Sequence, residues 1–383
     1  MSAPASSPSP SLARQQLATR LVFLIAGGGI AAWAPLVPYV QQRAALDARD
    51  LGLLLLCIGA GSIVTMPLAG IVAARFGCRM VLIVASLLIC LMLPILAVVA
   101  DARLLAAALL CFGAALGALD CVANIQAVIV ERASRRAMMS GFHGMFSLGG
   151  IAGAGGMSGL LSLGLAPLTA GICVVAVLLA ALLIAAPYLL PYGGSGGTMF
   201  ALPRGIVLAI GILCFILFLA EGAVLDWSAV FLTTLRGVTP EQAGFGYTAF
   251  AATMTVGRLS GDRIVQALGG IRIVVLGSLC AAAGLALATI APWWEAALAG
   301  YALVGAGCAN VVPVFYSALG RQTVMPESVA VPAVTTLGYA GILAGPVLIG
   351  FAAHATNLAV SFIILAVLLV GVAVTARPLL KAP

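Results

Sequence analysis

Apolar stretches long enough to cross a bilayer recur along the whole chain, each closed by a short polar or charged break. A helix needs about 20 mainly apolar residues to span the hydrocarbon core. On that measure the pattern predicts twelve helices, at 19–41, 51–74, 80–100, 104–131, 138–162, 165–190, 205–234, 242–262, 272–291, 294–319, 328–353 and 356–376. The longest polar break, PYGGSGGTMFALPR at 191–204, falls after the sixth and divides them into two sets of six. Its glycines and serine predict a flexible connection. The expected organisation is a tail at 1–18, a six-helix bundle at 19–190, a linker at 191–204, a second bundle at 205–377 and a tail at 378–383. The opening MSAPASSPSP has no apolar core, so it reads as a disordered tail and not as a cleavable signal peptide.

Composition agrees with an all-α membrane protein. Of 383 residues, 63% are hydrophobic and 8% charged, where a soluble domain carries roughly 25% charged residues. The 45 glycines suit closely packed membrane helices, and membrane lipid is the expected surroundings. Basic residues then orient the chain. With the N-terminus in the cytoplasm, that side collects Arg14, Arg20, Arg75, Arg79, Arg132, Arg135, Arg136, Arg204, Arg258, Arg263, Arg272, Arg321, Arg377 and Lys381. The other side receives Arg43, Arg49, Arg103 and Arg236, a fourteen-to-four bias that follows the positive-inside rule and places both termini in the cytoplasm. The net charge of +7 thus reflects topology, and nucleic-acid binding is not expected. All nine cysteines sit in or beside apolar spans without metal-ligand spacing, so they read as small core residues and no metal is expected.

The two halves repeat each other at an offset near 190 residues. Gly70 matches Gly261, Asp120 matches Asn310, and Glu131 matches Arg321. The ladder GIAGAGGMSG at 150–159 matches GILAGPVLIG at 341–350. Between the second and third helices, Gly70, Arg75, Gly77 and Arg79 follow a Gly, Asp-Arg, Gly, basic-pair signature, with Ala74 at the acidic position and Cys78 at the first basic one. The second copy keeps the acid as Asp262 beside Arg263, preceded by Arg258. On these motifs the chain resembles the major facilitator superfamily along its whole length. WAPLVP in the first helix, with D-x-x-x-N and H-G-x-F-S in the fourth and fifth, is similar to a poorly characterised bacterial branch of small permeases. The resemblance implies two pseudo-symmetric six-helix bundles in a bacterial inner membrane, a substrate site near the midplane, and alternating access. It implies that Gly70, Arg75, Gly77, Arg79, Arg258, Asp262 and Arg263 form a cytoplasmic gate.

Ionisable residues inside the membrane are rare and usually functional. Helical spacing puts Asp120, Asn124 and Glu131 on one face, since positions i, i+4 and i+11 differ by only about 40°, and turns Gln126 elsewhere. An acid, an amide and a second acid on one face read as a pathway lining or, more blandly, as a structural acid satisfied by neighbours. Asp120 against Asn310 suggests a single proton site, because a carboxyl in a low-dielectric cavity can exchange a proton as access alternates. Glu131 can pair with Arg135 on its own helix, or gate the pathway through Arg321. In the seventh helix, Glu221 is expected in the cavity's outer half. His143 reads equally as a substrate ligand, a proton relay or a backbone-bonded residue. Among the aromatics, Trp33 and Tyr316 lead as cavity candidates because each lies in a polar or Pro-containing segment.

The expected function is secondary transport of a small solute by alternating access, with protons as the expected coupling partner in a symporter; the alternative is a proton-driven exporter of drugs or metabolites of the same fold. No G-x-x-x-x-G-K-S/T loop occurs, which argues against an ATP-driven pump. No enzyme activity and no cofactor are expected, and the carrier is expected to be a monomer.

Overall fold

The computed structural model describes residues 10–46, 48–193, 202–239 and 242–381. Its described residues form helices and connecting turns without strands. The helices are α1 (Pro10–Trp33), α2 (Val37–Arg43), α3 (Ala48–Phe76), α4 (Cys78–Leu96), α5 (Ala102–Ser134), α6 (Met139–Ser162) and α7 (Pro167–Ala185). The second half gives α8 (Ile206–Arg236), α9 (Phe245–Leu268), α10 (Gly270–Ile290), α11 (Trp294–Cys308), α12 (Val311–Leu319), α13 (Glu327–Ala355) and α14 (Leu358–Lys381). Two spans are broken. A 3-10 turn at Ala34–Leu36 joins α1 to α2 where Pro35 and Pro38 interrupt the α ladder. Ala309 and Asn310 separate α11 from α12. Counting each broken span once leaves twelve, and eleven of these, among the described residues, are long and apolar enough to cross a membrane. The twelfth is α9, which has the length, 24 residues, but carries Arg258, Asp262 and Arg263.

The described ends differ from expectation. The first helix already begins at Pro10 and the last runs to Lys381, so 10–18 and 378–381 are helical extensions and not tails. Amphipathic flanks continue a spanning helix because its backbone hydrogen bonds are already nucleated. Residues 1–9 of the expected tail and 194–201 of the expected linker lie outside the described residues.

The chain forms two compact units, which do not coincide with its two halves. The first comprises 1–136, 145–200 and 326–332, and the second 137–144, 201–325 and 333–383. Each unit therefore takes in a short stretch at the start of one helix, α13 in the first and α6 in the second.

Within the first unit, α3 and α5 approach until backbone meets backbone. A methyl group added at Gly113 would strike the carbonyl of Ile58, and one at Gly61 the carbonyl of Leu110. Such contact lets the Ser62 hydroxyl donate across the helices to the Gly113 carbonyl at 2.8 Å, the packing mode of small residues in membranes. Gly113→Leu should separate the two helices and cost about 2–3 kcal/mol of overpacking. A lowered unfolding midpoint of the purified protein would register it. In the second unit, Gly284 and Gly300 bring α10 and α11 together in the same way.

Gly77 ends α3 in a backbone conformation (φ +86°) suited to glycine. The chain then turns into α4 against the end of the sixth span. Cys78 and Arg79 donate their backbone N–H groups to the carbonyls of Tyr192 and Leu190, at 3.3 and 2.7 Å.

Candidate transport site

In the second unit, Glu221 is the sixteenth of the 31 residues of α8, roughly 22 Å from either end at about 1.5 Å per residue. That places it at the middle of the helix. Arg258 is the fourteenth of 24 residues in α9. Its guanidinium Nη2 lies 3.6 Å from Glu221 Oε2, and the two side chains are only 9% and 13% exposed. The expected placement of Arg258 in a gate at a helix end does not hold. Ending the eighth span at 262 put Arg258 near the boundary, whereas α9 continues to Leu268 and closes at Gly269 (φ +81°). Arg258 is thus an interior charge, and an interior charge requires a partner.

The first turns of α6 bring further polar groups to α9. The backbone N–H of Gly141 donates to Asp262 Oδ1 at 2.9 Å, so a carboxylate caps the positive end of a helix. Gln266 Nε2 donates to the Ala137 carbonyl at 3.2 Å. Two residues past Gly141, the His143 ring tilts against Tyr316 of α12 with centroids 5.7 Å apart. The Tyr316 hydroxyl shares a hydrogen bond of 2.7 Å with Thr335 of α13. Both His143 and Tyr316 are buried. Asn310, also buried, donates its side-chain amide to the Gly257 carbonyl at 3.0 Å. Its Oδ1 fills the space a methyl at Gly261 would need. The expected counterpart of Asp120 thus fastens α9 to the break between α11 and α12.

In the first unit, Asp120 is the nineteenth of the 33 residues of α5, roughly 27 Å from its start and 21 Å from its end. It is half-buried, and no hydrogen-bond or ionic partner of its carboxylate occurs among the described residues. Asn124 is buried and donates to the Asp120 backbone carbonyl at 2.9 Å. Its Oδ1 has no partner among the described residues. Gln126 does point elsewhere: it donates to the Thr19 hydroxyl and accepts from the Leu190 N–H, at 3.1 and 3.0 Å, holding α1 and the end of the sixth span to α5. Trp33 is buried at the end of α1.

The residues assigned to a gate separate into different roles. Gly70 lies against the Ser328 carbonyl and the Pro332 ring, at the start of α13. Arg79 is a structural clamp, donating to the carbonyls of Leu189 and Pro187 at 3.0 and 2.6 Å. Arg75 is exposed over the Phe76 ring. Arg263 and Arg321 are exposed and make no salt bridge among the described residues. Arg132, next to Glu131, pairs with Glu327 in the first turn of α13. Sequence reasoning missed Glu327, although an acid in the first turn of a helix is a recognisable complement to its dipole. It missed Thr335 as well, for which no sequence signal existed.

No protein-family model matches the chain. An uncharacterized MFS-type transporter of Yersinia pestis is 55% identical over 365 residues, 95% of each chain. The membrane protein MosC of Rhizobium meliloti is 32% identical, covering 88% of this chain and 83% of that one. Among solved structures, the fucose:proton symporter FucP of E. coli superposes with a TM-score of 0.81 at 17% identity, covering 97% of this chain and 99% of that chain. The human organic anion transporter MFSD10 gives 0.74 at 16% identity, covering 98% and 100%.

Proposed function

Because the chain belongs to the major facilitator superfamily, we propose that it is a proton-coupled secondary carrier that moves a small solute by alternating access. It is a multi-pass membrane transporter and not an enzyme. The finer reading is carried by Asp120, a carboxyl at mid-helix depth, half-buried and without a side-chain partner among the described residues. An acid satisfied by protein neighbours would read as structural. One left open in a membrane helix reads as part of a proton or substrate path. FucP, which shares the fold, is itself a proton symporter. The basic residues favour both termini in the cytoplasm of a bacterial inner membrane.

Asp120→Asn keeps the shape and removes the titration. In proteoliposomes, the variant should lose accumulation driven by a pH gradient while still exchanging solute across the membrane without one. The solute is the one that most stabilises purified wild-type protein, since binding to the folded state raises apparent stability. Accumulation equal to wild type would remove Asp120 from proton coupling.

A further inference from the structure

The contact between Glu221 and Arg258 is loose for so buried a pair. One guanidinium nitrogen meets one carboxylate oxygen at 3.6 Å, where a charge-assisted bond closes to about 2.7–2.9 Å. The second carboxylate oxygen, Oε1, is buried with no hydrogen-bond partner among the described residues. A buried pair held for stability needs close geometry and satisfied lone pairs, and this acid has neither. The guanidinium fork matches a planar carboxylate through two parallel bonds, yet Glu221 offers it a single oxygen. An acid held by so long a contact, with its second oxygen unpartnered, is one that another anion can displace.

We propose that Arg258 recognises a small monocarboxylate, which displaces Glu221 and takes two parallel N–H bonds from the guanidinium. This deepens the carrier reading and rests on it. Released Glu221 takes one proton from solvent and becomes a neutral carboxylic acid. The buried charge stays balanced: Arg258 faces the Glu221 carboxylate before the exchange, and the substrate carboxylate beside protonated Glu221 after it. The titratable groups within electrostatic reach of the pair include Cys214 on α8, Tyr247 on α9, His143 on α6 and Cys308 on α11. Asp226 of α8 is within reach of Tyr247. The His143–Tyr316 and Tyr247–Phe250 ring pairs, with centroids 5.7 and 5.9 Å apart, offer flat surfaces for the uncharged part of a compact acid.

The test is thermal unfolding of the purified full-length protein with lactate, gluconate or galacturonate. Galactose, inorganic phosphate and tetraphenylphosphonium serve as neutral, mineral-anion and cationic comparisons. At least one carboxylate should raise the wild-type midpoint by roughly 3 °C or more, and more at acid than at alkaline pH. Glu221→Gln should respond more strongly and lose the pH dependence, because the ligand supplies the missing counter-ion. The double variant Glu221→Gln/Arg258→Gln, which buries no charge at the pair, should fold and not respond. Asp120→Asn should keep the carboxylate response, which separates this inference from the proton reading. Stabilisation by galactose or tetraphenylphosphonium alone would overturn the monocarboxylate while leaving a carrier. Stabilisation by phosphate alone, by no solute, or by a carboxylate acting equally on the double variant would overturn Arg258 as the recognition group.

Discussion

Arg258→Gln should destabilise the protein more than removal of any exposed charge, and adding Glu221→Gln should restore most of what is lost. Arg258 is 7% exposed at the middle of a spanning helix, so the single substitution leaves Glu221 as a buried carboxylate without a counter-ion. Breaking a buried pair from one side costs about 3–5 kcal/mol, whereas replacing both partners by neutral groups is often close to neutral. Arg132 and Glu327 provide the comparison. Arg132 is 60% exposed, and solvent screening holds such a pair to about 0–1 kcal/mol. Unfolding midpoints of Arg258→Gln, Glu221→Gln, their double variant and Arg132→Gln check the ordering. A double variant as unstable as either single one would show that the two charges do not compensate each other.

Much of the fold was legible because the membrane simplifies the physics. With no water to satisfy the backbone, apolar stretches of spanning length must be helical, and the twelve predicted spans correspond to the twelve observed. The turning away of Gln126 from Asp120 followed from helical rotation alone. Rotation about one helix does not, however, say which residue of another helix stands opposite. Asp120 and Asn310 align in the repeat, yet one is left open while the other plugs a glycine step in α9. Asn310 stands at the break between α11 and α12 with its amide on the Gly257 carbonyl of α9, a placement set by tertiary packing that alignment of the repeat does not carry. Glu221 was visible as a membrane charge, but ending the eighth span at 262 instead of 268 put Arg258 near a boundary and hid it as a partner. The exchanged starts of α6 and α13 had no sequence signal, since they depend on tertiary contact and not on local pattern.

Those exchanged stretches give the second large effect. In Asp262→Ala, the first turns of α6 should come away from α9. Asp262 accepts the Gly141 N–H at 2.9 Å, and a methyl at Gly141 would strike the same carboxylate, so the acid both caps the helix and fills the space beside it. Losing an N-terminal cap costs about 0.5–2 kcal/mol, and hydrogen bonds to charged groups contribute about 1.5–3 kcal/mol. A shift of about 2 kcal/mol in a local opening equilibrium is roughly a thirtyfold change in the open population. Hydrogen exchange read by mass spectrometry should therefore show the amides of residues 139–144 exchanging roughly tenfold to thirtyfold faster in the variant. The amides of α13 serve as the internal reference. Its first turn is tied by the Arg132–Glu327 pair, whose arginine is mostly exposed, and by the packing of Gly70 against Ser328 and Pro332. Neither involves Asp262. Exchange that rises equally in both helices would mean global loosening, and exchange unchanged in α6 would show that its docking rests on apolar packing around Ser140 and Leu259 instead of on the carboxylate.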